Sequence, residues 1–204
     1  MSTHLRLIPE RSPNSLRLFG LGLALVFLAQ SATGATLIGD QVDFDFQSPD
    51  VPQSAQNVPV VDPGVEFAIQ FNLGSGFTDF LQVDVAASTI TLTAVDTAYF
   101  YASEVLLVSD LDWVDFPSGQ ITGVTVQGSF SGGCALGDCG DGGQPSVMLP
   151  DGHTVRIAFD ANSPENLGFT TGDLVTINLI PEPSTALLVA CGLVGLGLRR
   201  KRAA

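Results

Sequence analysis

The sequence has almost no basic side chains outside its two ends. Between Thr36 and Pro181, Arg156 is the only arginine or lysine against 19 acidic side chains, so this region carries a formal net charge of −18. A surface of that sign repels the phosphates of DNA and RNA. The composition therefore excludes nucleic-acid binding. It leaves two interpretations of the acidic surface: it attracts cations, or it only keeps the protein soluble.

Histidine and cysteine are also scarce. The chain has two histidines, of which only His153 lies in the acidic region, and three cysteines. A Ser-His-Asp triad would have to use His153, and the sequence has no G-x-S-x-G motif. A zinc site would need two ligands besides Cys134 and Cys139. A hydrolase with two carboxylates stays an alternative, because so many acids always offer pairs, but no pair stands out. We therefore predict a protein that is not an enzyme and has no catalytic residues.

No apolar run reaches the roughly 20 residues that span a bilayer as a helix. The run near the start has 12 residues, from Leu18 to Ala29, follows a basic stretch and precedes the small residues QSATGA. Basic, apolar and then small residues in this order are typical of a secretory signal peptide. The sequence predicts a signal peptide over residues 1–35, with cleavage after Ala35. Cleavage after Gly34 and an uncleaved anchor are the alternatives.

The C-terminal end combines three features in a fixed order. A stiff extended tripeptide, Pro181-Glu182-Pro183, is followed by an apolar stretch of 13 residues, 186–198. As a helix this stretch would be about 20 Å long, which is short for a bilayer core of about 30 Å. A basic cluster follows, which stays on the cytoplasmic side; it consists of Arg199, Arg200, Lys201 and Arg202. The order predicts a transmembrane helix over 184–198 that anchors the chain temporarily, with an ordinary membrane anchor as the alternative.

The last 24 residues, PEPSTALLVACGLVGLGLRRKRAA, resemble the PEP-CTERM sorting tail. In that family the tail occurs in Gram-negative bacteria that make exopolysaccharide, and a membrane-embedded cysteine protease, exosortase, recognises and cleaves it. Tails of this kind are also called ice-binding protein C-terminal segments, a label that does not make this chain an ice binder. The resemblance implies exosortase as a partner and transient attachment to the inner membrane. It also implies a final location in the cell envelope, on the cell surface or in the extracellular matrix, in association with exopolysaccharide.

Between the two ends, several segments alternate apolar and polar residues, which places one face of each in a core and the other in water. The clearest is 65–73, in which Val65, Phe67, Ile69, Phe71 and Leu73 share a face. Others are 81–85, 89–93, 124–127, 154–159 and 175–179, with weaker ones at 42–46, 99–101, 105–108 and 146–149. Turn signals separate them, and no helical pattern is convincing. We predict an all-β domain over residues 36–180, a β-sandwich of jelly-roll type, with a long loop at 47–63.

The cysteines fall into two groups. Cys134 and Cys139 lie in a glycine-rich segment, GGCALGDCGDGG, which we expect to be a loop. In an oxidising compartment we predict a disulfide between them. Cys191 lies in the apolar tail, where we expect it to serve as a small apolar residue, with acylation as the alternative.

Calcium is the cation most compatible with this sequence, because hard oxygen ligands suit it. Asp43 and Asp45 are two residues apart on a predicted strand and so share a face. The other candidates flank Trp113 or Cys139; they are Asp110, Asp112, Asp115, Asp138 and Asp141. No EF-hand pattern is present. We predict no obligatory cofactor and keep calcium as a hypothesis.

Three aromatic side chains offer a further hypothesis. Trp113, Tyr99 and Tyr101 would stack on sugar rings if they are exposed, or pack in the core if they are not. The leading prediction is a non-catalytic envelope or matrix protein. The alternatives are a calcium- or carbohydrate-binding β-sandwich module and a glycan hydrolase.

Overall fold

The computed structural model describes residues 35–72, 76–101, 103–135, 138–160 and 166–182. They form a compact unit from Ala35 to Glu182. Residues 1–34 of the predicted signal peptide 1–35 lie outside the described residues, as do the predicted transmembrane helix 184–198 and Cys191. Within these ranges the chain forms strands, turns and bends, and no helix, in agreement with the all-β prediction. No helix long and apolar enough to span a membrane occurs among the described residues.

The described part of the chain contains fourteen strands. They are β1 (Gln41–Gln47), β2 (Gln53–Pro59), β3 (Phe67–Asn72), β4 (Phe77–Val85), β5 (Thr89–Ala94), β6 (Ala98–Phe100), β7 (Val105–Ser109), β8 (Ile121–Gly128), β9 (Gly133–Ala135), β10 (Asp138–Gly140), β11 (Ser146–Asp151), β12 (Thr154–Ala158), β13 (Leu167–Phe169) and β14 (Leu174–Pro181).

Ten of the described strands form two five-stranded sheets. The strand order is β11-β12-β7-β1-β2 in the first sheet and β3-β4-β5-β14-β8 in the second. All neighbouring strands in both sheets are antiparallel. The buried side chains of both sheets belong to one hydrophobic cluster, so the fold is sandwich-like. The jelly-roll part of the prediction is not confirmed.

The core follows from the alternation in the sequence. In β1 every second residue, Val42, Phe44 and Phe46, is at most 1% exposed. The ring of Phe44 stacks on Phe67 of β3 in the other sheet, with ring centroids 5.0 Å apart. Phe100 of β6 lies 4.3 Å from Phe159, again between ring centroids. Burying these large apolar side chains is the main stabilising contribution to the fold.

The segment predicted to be a long loop, residues 47–63, contains the edge strand β2. Its sequence, QSAQNVP, is polar and none of its residues is fully buried, so it has no apolar alternation to reveal it. It forms because its backbone pairs with β1. Gln53 then links the two sheets: its Nε2 donates to the Gln70 carbonyl oxygen at 2.6 Å, and its Oε1 accepts from Gln70 N at 3.0 Å.

Strand β3 begins two residues later than the alternation predicts. The alternation places Val65 on the core face with Phe67, but Val65 is 51% exposed. The cause is Glu66, whose carboxylate accepts the N–H groups of Val61 at 3.0 Å and Val85 at 2.7 Å. Glu66 N still donates to the Val83 carbonyl oxygen at 3.1 Å, but the Val85 N–H is taken by the Glu66 carboxylate, and the strand begins at Phe67. The last predicted residue of this strand, Leu73, lies outside the described residues.

Two short ribbons, β9–β10 and β6–β13, pack against each other through glycines. The predicted loop around Cys134 and Cys139 is the hairpin β9–β10, in which the two cysteines are opposite each other and joined by a disulfide. A Cβ added at Gly168 would collide with Gly133 N and Gly140 O, which are backbone atoms of that hairpin. The ribbons therefore approach backbone to backbone, which only glycine permits.

Candidate functional site at the end of the last strand

The end of β14 is where the folded chain meets the Pro-Glu-Pro segment. Along most of its length β14 lies between β5 and β8. Its pairing with β5 ends at Asn178. Leu179 N donates the last hydrogen bond on that side, to the Ser88 carbonyl oxygen at 2.8 Å. Beyond Leu179 the strand pairs with β8 alone.

Three residues, Ile180 to Glu182, are held by the start of β8. The Thr122 hydroxyl donates to the Ile180 carbonyl oxygen at 3.3 Å, and Glu182 N donates to the Gln120 carbonyl oxygen at 2.7 Å. The register shifts between Ile180 and Pro181, where proline has no N–H to contribute. Ile180 is 44% exposed and lies opposite Gly123. The end of this strand is therefore held from one side only, by β8 and the residue before it.

The two ends of the described unit attach to the same connection, the chain between β7 and β8. At the start of the unit, Val114 N donates to the Thr36 carbonyl oxygen at 2.8 Å. At its end, the Gln120 carbonyl oxygen accepts from Glu182 N. Thr36 follows the predicted signal-peptide cleavage position, and Glu182 is the centre of the Pro-Glu-Pro segment. One connection therefore holds both places at which we predict processing.

Comparison with known families identifies this end of the chain. The PEP-CTERM protein-sorting motif matches residues 179–202, which confirms the resemblance. Such a motif is the recognition tag of exosortase, so it implies exosortase-dependent export, with transient membrane anchoring before sorting to the envelope. No curated protein and no solved structure matches the chain.

The match overlaps the last strand by three residues. It starts at Leu179, whereas β14 ends at Pro181. Of the predicted sorting residues, Pro181 and Glu182 are described and are half-buried. The others lie outside the described residues; they are Pro183, Arg199, Arg200, Lys201 and Arg202.

The acidic side chains proposed as calcium ligands do not meet in one site among the described residues. No group of three or more His, Cys, Asp or Glu side chains able to hold a metal occurs there. Asp112 instead contacts His153, with 2.8 Å between Oδ1 and Nδ1, and its backbone N–H donates to Asp40 Oδ2. Asp43 Oδ1 accepts from Asn57 N at 2.7 Å.

The remaining calcium candidates are spread over separate places. Asp110 follows β7 with a left-handed φ of 62°, and Asp115 is exposed in the connection to β8. Asp138 is the first residue of β10, and Asp141 directly follows that strand, where its backbone bridges to Leu167. Calcium binding gains no support from this arrangement.

The aromatic residues proposed for sugar stacking have different environments. Trp113 is 0% exposed and belongs to the core, so it presents no face to a sugar ring. Tyr101 is 42% exposed and forms an edge-to-face pair with Tyr99, with ring centroids 5.4 Å apart. The tryptophan part of the carbohydrate hypothesis is therefore wrong, because its side chain is needed to fill the core.

A buried carboxylate, Glu104, has no signal in the sequence beyond its position before the apolar strand β7. It is 2% exposed, its Oε1 accepts from the Ser48 hydroxyl at 2.6 Å, and its Oε2 accepts from Tyr101 N at 2.8 Å. Burial raises the pKa of this carboxyl, against the opposing effect of both hydrogen bonds, and the charge of Asp50 adds to the rise. Glu104 therefore ties the connection after β1 to the connection after β6.

We expect the Glu104→Gln variant to become more stable relative to the parent protein as the pH rises. Because the pKa of Glu104 in the folded state is above its usual value near 4.5, its contribution to the free energy of unfolding is complete below that value. It is lost as the pH rises through the raised pKa, since a charge must then be buried. Glutamine stays neutral at every pH; its amide oxygen can accept from Tyr101 N, and its amide nitrogen can donate to the Ser48 hydroxyl oxygen.

Urea unfolding of both proteins between pH 4 and pH 8, roughly the window in which a raised carboxyl titrates, measures this difference. Asp45→Asn, at an exposed position of β1, is the matched control. A constant difference between Glu104→Gln and the parent protein over this window would contradict the assigned role of burial.

Proposed function

We propose that this chain is a non-catalytic protein of the cell envelope or extracellular matrix, exported through a cleaved signal peptide and sorted by exosortase. The observation that carries the proposal is the sorting motif at residues 179–202, which continues directly from the last strand of a folded β domain. The occurrence of such tails in bacteria that make exopolysaccharide supports an association with that material.

The proposed organisation has three parts. Residues 1–35 are the signal peptide, residues 36–180 the exported β domain, and residues 181–204 the sorting tail with its membrane helix at 184–198. The order of basic, apolar and small residues supports the first part, and the short apolar stretch before Arg199 supports the third. The acidic surface suits a protein that stays soluble outside the cell, since net charge of one sign opposes association.

Cells with and without exosortase test the proposal. The full chain carries a tag in the exposed turn at Thr171–Gly172, and its size and location are followed over time. With the enzyme, we expect the tail to be lost and the domain to leave the inner membrane. Without it, the domain should keep its full size and remain with that membrane. Equal loss of the tail in both strains would contradict the proposal.

A further inference from the structure

The first residues of the sorting motif belong to the folded sheet, and this limits how an enzyme can bind them. Leu179, where the motif begins, is 4% exposed in the core. Ile180 and Pro181 pair with β8, and Glu182 N donates to the Gln120 carbonyl oxygen at 2.7 Å. The motif is therefore not a free peptide at its N-terminal end.

An enzyme that reads an extended peptide uses the peptide's own backbone groups, as an added strand does. In the folded chain these groups are already occupied around Pro181. The Ile180 carbonyl oxygen accepts from Thr122, Glu182 N donates to Gln120, and proline itself has no N–H. Strand β8 and an enzyme that binds this segment in extended form therefore compete for the same atoms.

The pairing of residues 180–182 with β8 has features that favour local opening. The hydrogen bonds to the β5 side stop at Leu179. The register shifts after Ile180, whose side chain is 44% exposed and faces Gly123, which offers no side chain to pack on. The buried Leu179 keeps the rest of β14 in place. Release of residues 180–182 would thus leave Leu179 in the core and uncover, of the β8 core residues, chiefly Ile121, the register partner of Pro181; local opening of this kind is common at strand ends.

We propose that β8 holds residues 180–182 in a state that exosortase does not bind, and that processing passes through local release of these residues from β8. The inference rests on the proposed function, because it takes exosortase to be the enzyme that reads the motif. It concerns the binding of the motif before any bond is broken. The more stable the attachment of these residues to β8 is, the more slowly the tail is then removed.

A disulfide across the two strands tests this directly. Gly123 and Ile180 are register partners, and a Cβ at Gly123 would lie 3.8 Å from the Ile180 Cβ. That distance is near the mean of about 3.8 Å in natural disulfides. In cells with exosortase, the full-length Gly123→Cys/Ile180→Cys variant should lose its tail at least about tenfold more slowly than either single variant, the loss expected when opening becomes about 1.4 kcal/mol harder. A reducing agent should restore the rate.

Two further variants test whether the effect depends on where the engineered disulfide joins the two strands. Thr125→Cys/Asn178→Cys joins the same strands at a register pair farther from the motif, and it should leave the rate unchanged. A flexible Gly-Ser-Gly-Ser insertion between Ile180 and Pro181 separates the Pro-Glu-Pro segment and the rest of the tail from β8, and leaves the first two motif residues in the sheet. Added to the Gly123→Cys/Ile180→Cys variant, the insertion should restore tail removal. Added to the parent chain, it should give a rate of tail removal equal to or above that of the parent.

The outcomes separate the inference from the function. Tail loss at the parent rate in a variant whose 123–180 disulfide is verified by mass would overturn the inference. Slower processing of the variant that carries the insertion alone would also overturn it, because processing would then depend on Pro181 staying next to Ile180 on β8. The insertion arm decides the question even if the engineered disulfide does not form. Failure of the proposed function shows separately, as tail loss from the parent chain in cells without exosortase.

Discussion

Replacing Pro181, Glu182 and Pro183 together with alanine should stop removal of the tail while export and membrane attachment continue. Proline keeps the chain extended and prevents the predicted helix at 184–198 from continuing back towards β14, whereas alanine favours helix most strongly. The replacement also removes the three residues that we propose exosortase recognises. We expect tail removal to slow by at least about tenfold, which corresponds to about 1.4 kcal/mol of lost recognition. Pulse-chase labelling followed by gel electrophoresis measures the rate.

A second triple-alanine variant controls for general effects on folding and export. Gln41, Asp45 and Gln47 are exposed positions of β1, in the sheet that does not contain β14. Alanine at these positions should leave the rate of tail removal at the parent value. Equal rates in all three proteins would mean that the Pro-Glu-Pro segment is not read by the processing enzyme.

A large loss of stability from one methyl group is expected for Gly168→Ala. The added Cβ would collide with backbone atoms of Gly133 and Gly140, so the ribbon β6–β13 and the disulfide-linked hairpin β9–β10 cannot stay in contact. Backbone cannot move aside as a flexible side chain can, and overpacking of this kind costs about 3 kcal/mol. Urea unfolding of the exported protein at neutral pH measures the change.

Gly123→Ala is the matched control for this substitution. Its added Cβ would meet Ile180 Cδ1 at 3.4 Å, an ordinary contact with the end of a flexible side chain. We expect a change within about 0.5 kcal/mol, as for most surface substitutions. If both alanine variants lose the same amount of stability, the backbone contact between the ribbons does not contribute in the way described.

The sequence predicts strands well where one face is buried. The alternating segments at 89–93 and 175–179 lie in β5 and β14, and the segment at 154–159 runs one residue past the end of β12. Apolar side chains at every second position all reach the core only when the backbone is a strand. The edge strand β2 escaped prediction, since its pairing uses the backbone and none of its side chains is fully buried. The ribbons built on β9, β10 and β13 have three residues each, too few to show a period.

The sorting motif could be predicted from sequence, and its attachment to the sheet could not. The order of Pro-Glu-Pro, apolar stretch and basic cluster is local and is readable in the last 24 residues. The contacts of Glu182 with Gln120 and of Ile180 with Thr122 join segments that are far apart in the chain. They follow from the sheet order, which places β14 beside β8, and no local pattern encodes that order.

The intact mass of the exported domain, recovered from cells that contain exosortase, tests export and sorting most directly. The predicted result is a chain that begins near Thr36 and has lost the apolar stretch and the basic cluster, while cells without the enzyme retain both in the membrane fraction. A released domain that still carries Arg199, Arg200, Lys201 and Arg202 would contradict sorting by this motif.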